Sequence, residues 1–217
     1  MIFFFAFLLI FSSSSDGKTV SLDDTIISMK IVQNPLLYAN NVTVNVTWIF
    51  SSGINVTNVV IAIKNLQSSQ YAAMGLGQHQ SMGEAHVFMC KRFANDTISI
   101  GRFVNPQDHH PPVPAGSEQG GVFTPLPSKF MDGIVTCQFN LSNFTRKTAK
   151  ISDKLRPLSQ SGQYHPLFAV GMLNSTGDAQ HHDGRQPQQD FVQLNQNQNL
   201  IYHQNSTKPF KKIYSTA

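Results

Sequence analysis

The chain has 217 residues, of which 41% are hydrophobic and only 13% charged, against roughly a quarter charged in an average globular domain. That length supports one sizeable core and one domain, with Asn, Gln, Ser and Thr carrying solubility. A formal net charge of +4 is too small and too scattered for nucleic-acid binding, and the densest basic stretch (Arg146, Lys147, Lys150, Lys154, Arg156) reads as a solvated loop or short helix.

The chain opens MIFFFAFLLIFSSSSDG. Its apolar run from Ile2 to Phe11 is too short to cross a bilayer, which takes about 20 residues. It fits the apolar stretch of a secretory signal, residues 1–15, followed by small Ser residues suited to cleavage. No Lys or Arg precedes the run, so the α-amino group alone supplies the positive end, and a buried strand is the alternative. No later segment is apolar enough to span a membrane, so the mature protein, expected to be secreted, is expected to be soluble or peripherally held.

Period-2 alternation and β-branched runs then predict strands at Ile26–Val32, Val42–Phe50, Val59–Lys64, Tyr71–Leu76, His86–Cys90, Thr97–Phe103, Ile134–Asn140 and Leu167–Met172, with a weaker one over Asp190–Leu194. Turn signals separate them: SSGIN, LGQHQSMGE, NPQDHHPPVPAGSEQGG and LNSTGD. Many short strands at this spacing mean an all-β sandwich or barrel. The stretch from Asn105 to Gly121 is long for a loop, a trait of functional or structureless segments; its HHPP reads as an incidental surface pair. From Gln186 the chain turns Gln/Asn-rich, and residues 201–217 read as a flexible tail.

Eight N-x-S/T sequons, at Asn41, Asn45, Asn55, Asn95, Asn140, Asn143, Asn174 and Asn205, support export and glycosylation. In NVTVNVTWIF the residues Val42, Val44, Val46, Trp48 and Phe50 share one face, which leaves Asn41 and Asn45 on the other, where a glycan finds solvent. Val135, Cys137 and Phe139 alternate against Asn140 in the same way. The two cysteines, Cys90 and Cys137, are expected to form a disulfide in an exported chain; two buried thiols are the alternative.

Hydrolase and nucleotide signatures are absent: the sequence has no G-x-S-x-G, no P-loop, no H-E-x-x-H and no G-x-G-x-x-G after a strand. Two places remain for chemistry. One is YAAMGLGQHQSMGEAHVFMCKR, where Met74, Met82 and Met89 interleave with His79 and His86. The other is YHPLFAVGMLNSTGDAQHHDGR, a strand and a turn followed by His181 and His182. Met74 and Met89 sit within strands and are expected in the core; His79 and His86 are expected at the surface or lining a pocket.

The ordered set of a tyrosine-led strand ending in Gly (YAAMGLG), a Met-Gly turn (SMGEAHVFMC), TCQFN, and LFAVGM leading to a His resembles DOMON domains. These are the extracellular modules of cellobiose dehydrogenase cytochromes, ferric-chelate-reductase-like proteins and dopamine-β-monooxygenase-like proteins. The likeness runs over about residues 24 to 195 and sets the domain at 24–200. It implies an immunoglobulin-like antiparallel β-sandwich. In heme-binding members the Met of the Met-Gly turn and the His after the late strand ligate a b-type heme. By position these are Met82 and His182, or His181 in its place. A His/Met pair raises the potential and leaves no open position, so such a heme moves electrons. The implied activity is electron transfer beside a separate redox partner, membrane-bound in the ferric-reductase-like relatives, with no catalytic centre of this chain's own. Other members bind carbohydrate or small ligands without heme, so a heme-free binding module is the alternative.

Overall fold

The computed structural model describes residues 41–105, 111–144, 155–188 and 190–204. Eleven strands are present among them: β1 (Thr43–Ser51), β2 (Val56–Lys64), β3 (Gln70–Gly77), β4 (Ala85–Arg92), β5 (Ile98–Asn105), β6 (Val113–Pro114), β7 (Val122–Met131), β8 (Ile134–Ser142), β9 (His165–Leu173), β10 (Ala179–Pro187) and β11 (Gln198–His203). They form two sheets, one ordered β11-β1-β2-β8-β7 and the other β10-β9-β3-β4-β5-β6. Every pairing is antiparallel, and the inner faces meet as a β-sandwich. A single 3-10 turn, Ser117–Gln119, is the helical structure among the described residues.

The five-stranded sheet behaves as its alternation requires. Val44, Val46 and Trp48 on β1, Val59, Ile61 and Ile63 on β2, and Val135, Cys137, Phe139 and Leu141 on β8 are all buried, while the residues between them are half-buried or exposed. They meet Ala72, Met74, Leu76, Phe88, Phe168 and Val170 from the other sheet in one core cluster. Phe88 stacks on Phe139 across the sandwich with ring centroids 4.6 Å apart, and Trp48 Nε1 donates to the Gln193 carbonyl. Cys90 on β4 and Cys137 on β8 are bonded, with Cα atoms 6.1 Å apart, so the disulfide joins the two sheets through the core.

Strand β3 is buried along its whole length, and β4 and β9 nearly so. Such strands are covered on both faces. Their inner side belongs to the core, whereas Tyr71, Ala73, Val87, Met89 and Leu173 form a second apolar cluster on the outer side, with Phe93, Phe103 and Ala179 packed against it.

Several expectations change. Asp190–Leu194 forms no strand and contributes one isolated bridge, Val192 to Tyr164. Strands β6, β7, β10 and β11 arise where none was expected, β6 within the stretch read as a long loop; each lies at a sheet edge, where pairing to one neighbour suffices and prolines such as Pro125 and Pro127 in β7 are tolerated. Strand β11 runs to His203, three residues past the expected domain limit at 200. His181 and His182 sit within β10 and not in a turn. His86 is fully buried, because even-numbered residues of β4 point into the sandwich, so it is neither a surface nor a pocket-lining residue. The expected Ile26–Val32 strand, the signal segment, His109 and His110, most of the basic stretch, Asn205 and the rest of the tail lie outside the described residues.

Candidate functional site

Directly opposed residues of a sheet share a face, so the pairing register lays out the outer face of the six-stranded sheet row by row. One row runs His182, Gly171, Tyr71, Lys91; the next Arg185, Ala169, Ala73, Met89; the next Pro187, Leu167, Gly75, Val87; the last His165, Gly77, Ala85, Asn105. Gly and Ala occupy six places in the β9 and β3 columns and at Ala85, so a strip of this sheet is nearly bare of side chains.

The β3–β4 turn folds Met82 back over that strip. Ala73, Gly75, Ala85, Val87, Leu167 and Ala169 join Met82 in lining a shallow recess of about 230 Å³, counted with its space open to solvent. Asn105 Nδ2 donates to the Met82 carbonyl and holds the turn in place. Glu84 closes the turn with φ of 53°, and its carboxylate lies 3.7 Å from His79 Nε2. His79 is exposed, as expected, and is not among the residues that line the recess. Met74 belongs to the main core and Met89 to the outer cluster, so Met82 is the thioether of the three that lines the recess.

His182 stands on the same face as Met82. Its row lies four residues along β3 from the row of Gly75, about 13 Å at about 3.3 Å per residue. The Tyr71 hydroxyl donates to the Gln180 carbonyl at 2.8 Å, and its ring crosses Gly171, where an added Cβ would come within 2.8 Å of the hydroxyl. That contact pins the irregular edge strand β10 onto the sheet. Burial lowers the His182 pKa to about 4, helped by the neighbouring His181 and Arg185. The imidazole is therefore neutral at pH 7, the form that binds metals. His181 is exposed, and its Nδ1 donates to the His182 carbonyl at 2.9 Å. Strict alternation from Arg185 would set His181 on the outer face, but the register shifts on both sides of His182, and it is His182 that comes opposite Gly171.

His165 escaped the sequence reading. It is two residues before Leu167 on β9, so it lies on the recess face at the Met82 end. Its ring packs on Phe191 at 4.1 Å between centroids, and its buried Nδ1 has no hydrogen-bond partner. Counting by twos from Leu167 would have found it. Among the described residues no three His, Cys, Asp or Glu side chains gather into a metal cage.

The donor set fits a heme in chemistry: a thioether and a neutral imidazole share one face with a floor of Gly and Ala where a flat group meets few side chains. The recess is small, below the roughly 300 Å³ at which small-molecule pockets begin.

No family model matches the chain, and no curated protein matches it. Among solved structures it is similar to the cytochrome domain of Myriococcum thermophilum cellobiose dehydrogenase, 11% identical over 74% of this chain and 73% of that one, with a TM-score of 0.45. A likeness at that level carries no argument about the site.

Proposed function

We propose that the chain is an exported b-type heme-binding module that passes electrons to or from a separate redox partner, with Met82 and His182 as the residues that hold the iron. The observation that carries this reading is the placement of both side chains on the outer face of the six-stranded sheet, beside a strip of Gly and Ala. A bound heme would supply a one-electron couple. The chain's own contribution is to orient the donors: Asn105 fixes the Met82 turn through its carbonyl, and Tyr71 fixes β10. The apolar lining by Val87, Leu167 and Ala169 would offer a bound heme a surface of low polarity. Cys90–Cys137 fits an oxidising compartment, and among the described residues no helix is long and apolar enough to cross a membrane.

The small recess favours a second reading, a heme-free module for carbohydrate or another small ligand. An absorption spectrum of the full chain, produced with added heme, decides between them. The heme reading expects a Soret band that shifts with dithionite, a lower potential in Met82→His because a thioether favours ferrous iron more than imidazole does, and loss of most heme in His182→Ala. Folded protein that stays colourless after heme supplementation refutes it.

A further inference from the structure

Six sequons have both the Asn and its hydroxyl partner among the described residues, and they differ in where that hydroxyl goes. Thr43 Oγ1 meets His203 Nδ1 at 3.1 Å, Thr47 Oγ1 donates to Asn199 Oδ1 at 3.3 Å, and Thr57, fully buried, donates to the Leu194 carbonyl at 2.8 Å. In two sequons it returns to its own asparagine. Thr97 donates to Asn95 Oδ1 from Oγ1 at 2.7 Å and from its backbone N–H at 3.1 Å. Thr176 Oγ1 lies 2.7 Å from both Asn174 Oδ1 and Asp178 Oδ2, while the Thr176 and Asp178 backbone N–H groups donate to Asn174 Oδ1 at 3.0 and 2.7 Å.

In both turns the side-chain oxygen of an exposed asparagine accepts the turn's own hydrogen bonds, and Nδ2, the atom that carries an N-linked sugar, takes no part in them. Asn174 Nδ2 makes only a long contact, 3.5 Å, to Asp178 Oδ2. The sequons within strands contrast with this. Asn140 is half-buried and accepts from Asn58 Nδ2 at 2.8 Å, and Asn45 Oδ1 is shielded without a partner.

The two turns are also neighbours. One joins β4 to β5 and the other β9 to β10. Lys91 Nζ donates to the Gly177 carbonyl at 2.8 Å, and a Cβ on Gly177 would lie 2.7 Å from the Phe93 ring. Because β3 and β4 are antiparallel, the β3–β4 turn that bears Met82 is at the opposite end of the sheet.

We propose that Asn95 and Asn174 both carry N-linked glycans, which together cap the end of the six-stranded sheet opposite Met82. In each case a bond forms between Nδ2 and the anomeric carbon of an oligosaccharide on a polyprenyl diphosphate donor. The carbon–oxygen bond to phosphate breaks, Nδ2 releases one proton, and the lipid diphosphate leaves. The modified amide retains Oδ1 and one N–H, so every Oδ1 bond of the turn persists. The cap leaves the Met82 end as the accessible one.

The test directs the full chain into the secretory pathway of a eukaryotic cell behind a heterologous leader, so that it does not rest on the chain's own N-terminus. Glycans are removed enzymatically in heavy-oxygen water and the peptides mapped by mass. Label on both Asn95 and Asn174 is expected. Asn95→Gln and Asn174→Gln should each raise gel mobility by one glycan step and the double variant by two. Thr97→Ser should keep the first glycan and Thr97→Ala should lose it. Peptide mapping of the unaltered chain with either asparagine unlabelled overturns the paired cap, as does unchanged mobility in the double variant.

Discussion

Acidification should weaken this fold through His86, by an amount that follows from its surroundings. The ring is fully buried. Its Nε2 donates to the Arg156 carbonyl at 3.0 Å, which places the lone pair on Nδ1, an atom without a partner. Tyr164 stands edge-on at 6.4 Å. The nearby Arg102 guanidinium is held by the carbonyls of Gln119, Gly120 and Gly121 at 2.6 to 2.8 Å. Burial, and after it the Arg102 charge, lower the His86 pKa from 6.5 to about 4 against a smaller opposing effect of the Arg156 carbonyl. Because the folded state holds the proton less tightly, the unfolded chain takes it up first. Stability is therefore complete above pH 6.5 and falls as the pH drops towards 4. Between pH 7 and pH 4.5 the loss comes to about 2 kcal/mol. His86→Gln keeps a donor for the Arg156 carbonyl and cannot titrate. Urea unfolding, followed by the fluorescence of the single tryptophan, should show a pH-dependent loss smaller by about 2 kcal/mol in the variant than in the parent. His182 titrates in the same range, but it is half-exposed, and its contribution is common to both proteins and cancels in the difference. Equal losses in the two proteins would refute the argument.

Replacing both Cys90 and Cys137 by Ala opens a link spanning 47 residues and should cost about 4 kcal/mol in the chain-entropy account, read as a lower denaturant midpoint. Phe139→Ala removes the ring stacked on Phe88 from the centre of the core and should cost about 3–5 kcal/mol, measured the same way. Gly75→Val places a side chain in the Met82 recess, where even its Cβ would meet Leu167 Cβ at 3.1 Å; it should cost about 1–3 kcal/mol and abolish heme uptake in protein that still folds, read from the Soret band against circular dichroism. Heme uptake equal to that of the parent would separate the site from this recess.

The all-β character and the main core were legible in the sequence because each central strand of the five-stranded sheet obeys one local rule. Val44, Val46 and Trp48 alternate with polar residues, as do Val135, Cys137 and Phe139, and burial of one face follows from that period alone. The disulfide was legible through its compartment chemistry, although only the folded sheets bring Cys90 and Cys137 within bonding distance. Edge strands β7, β10 and β11 left no comparable mark. Strands β7 and β11 reach the main core through few side chains, Phe123 on β7 and Leu200 and Tyr202 on β11, and AQHHDGRQP pairs with β9 despite its polarity. The outer face of the six-stranded sheet was equally hidden. Period-2 reasoning assigns one face of a strand to water, and β3 buries both. Only register decides that Met82, His165 and His182 share that face with a strip of Gly and Ala, because these residues are separated by 17 to 100 positions along the chain, and no local pattern couples groups so far apart until β9 pairs with both β3 and β10.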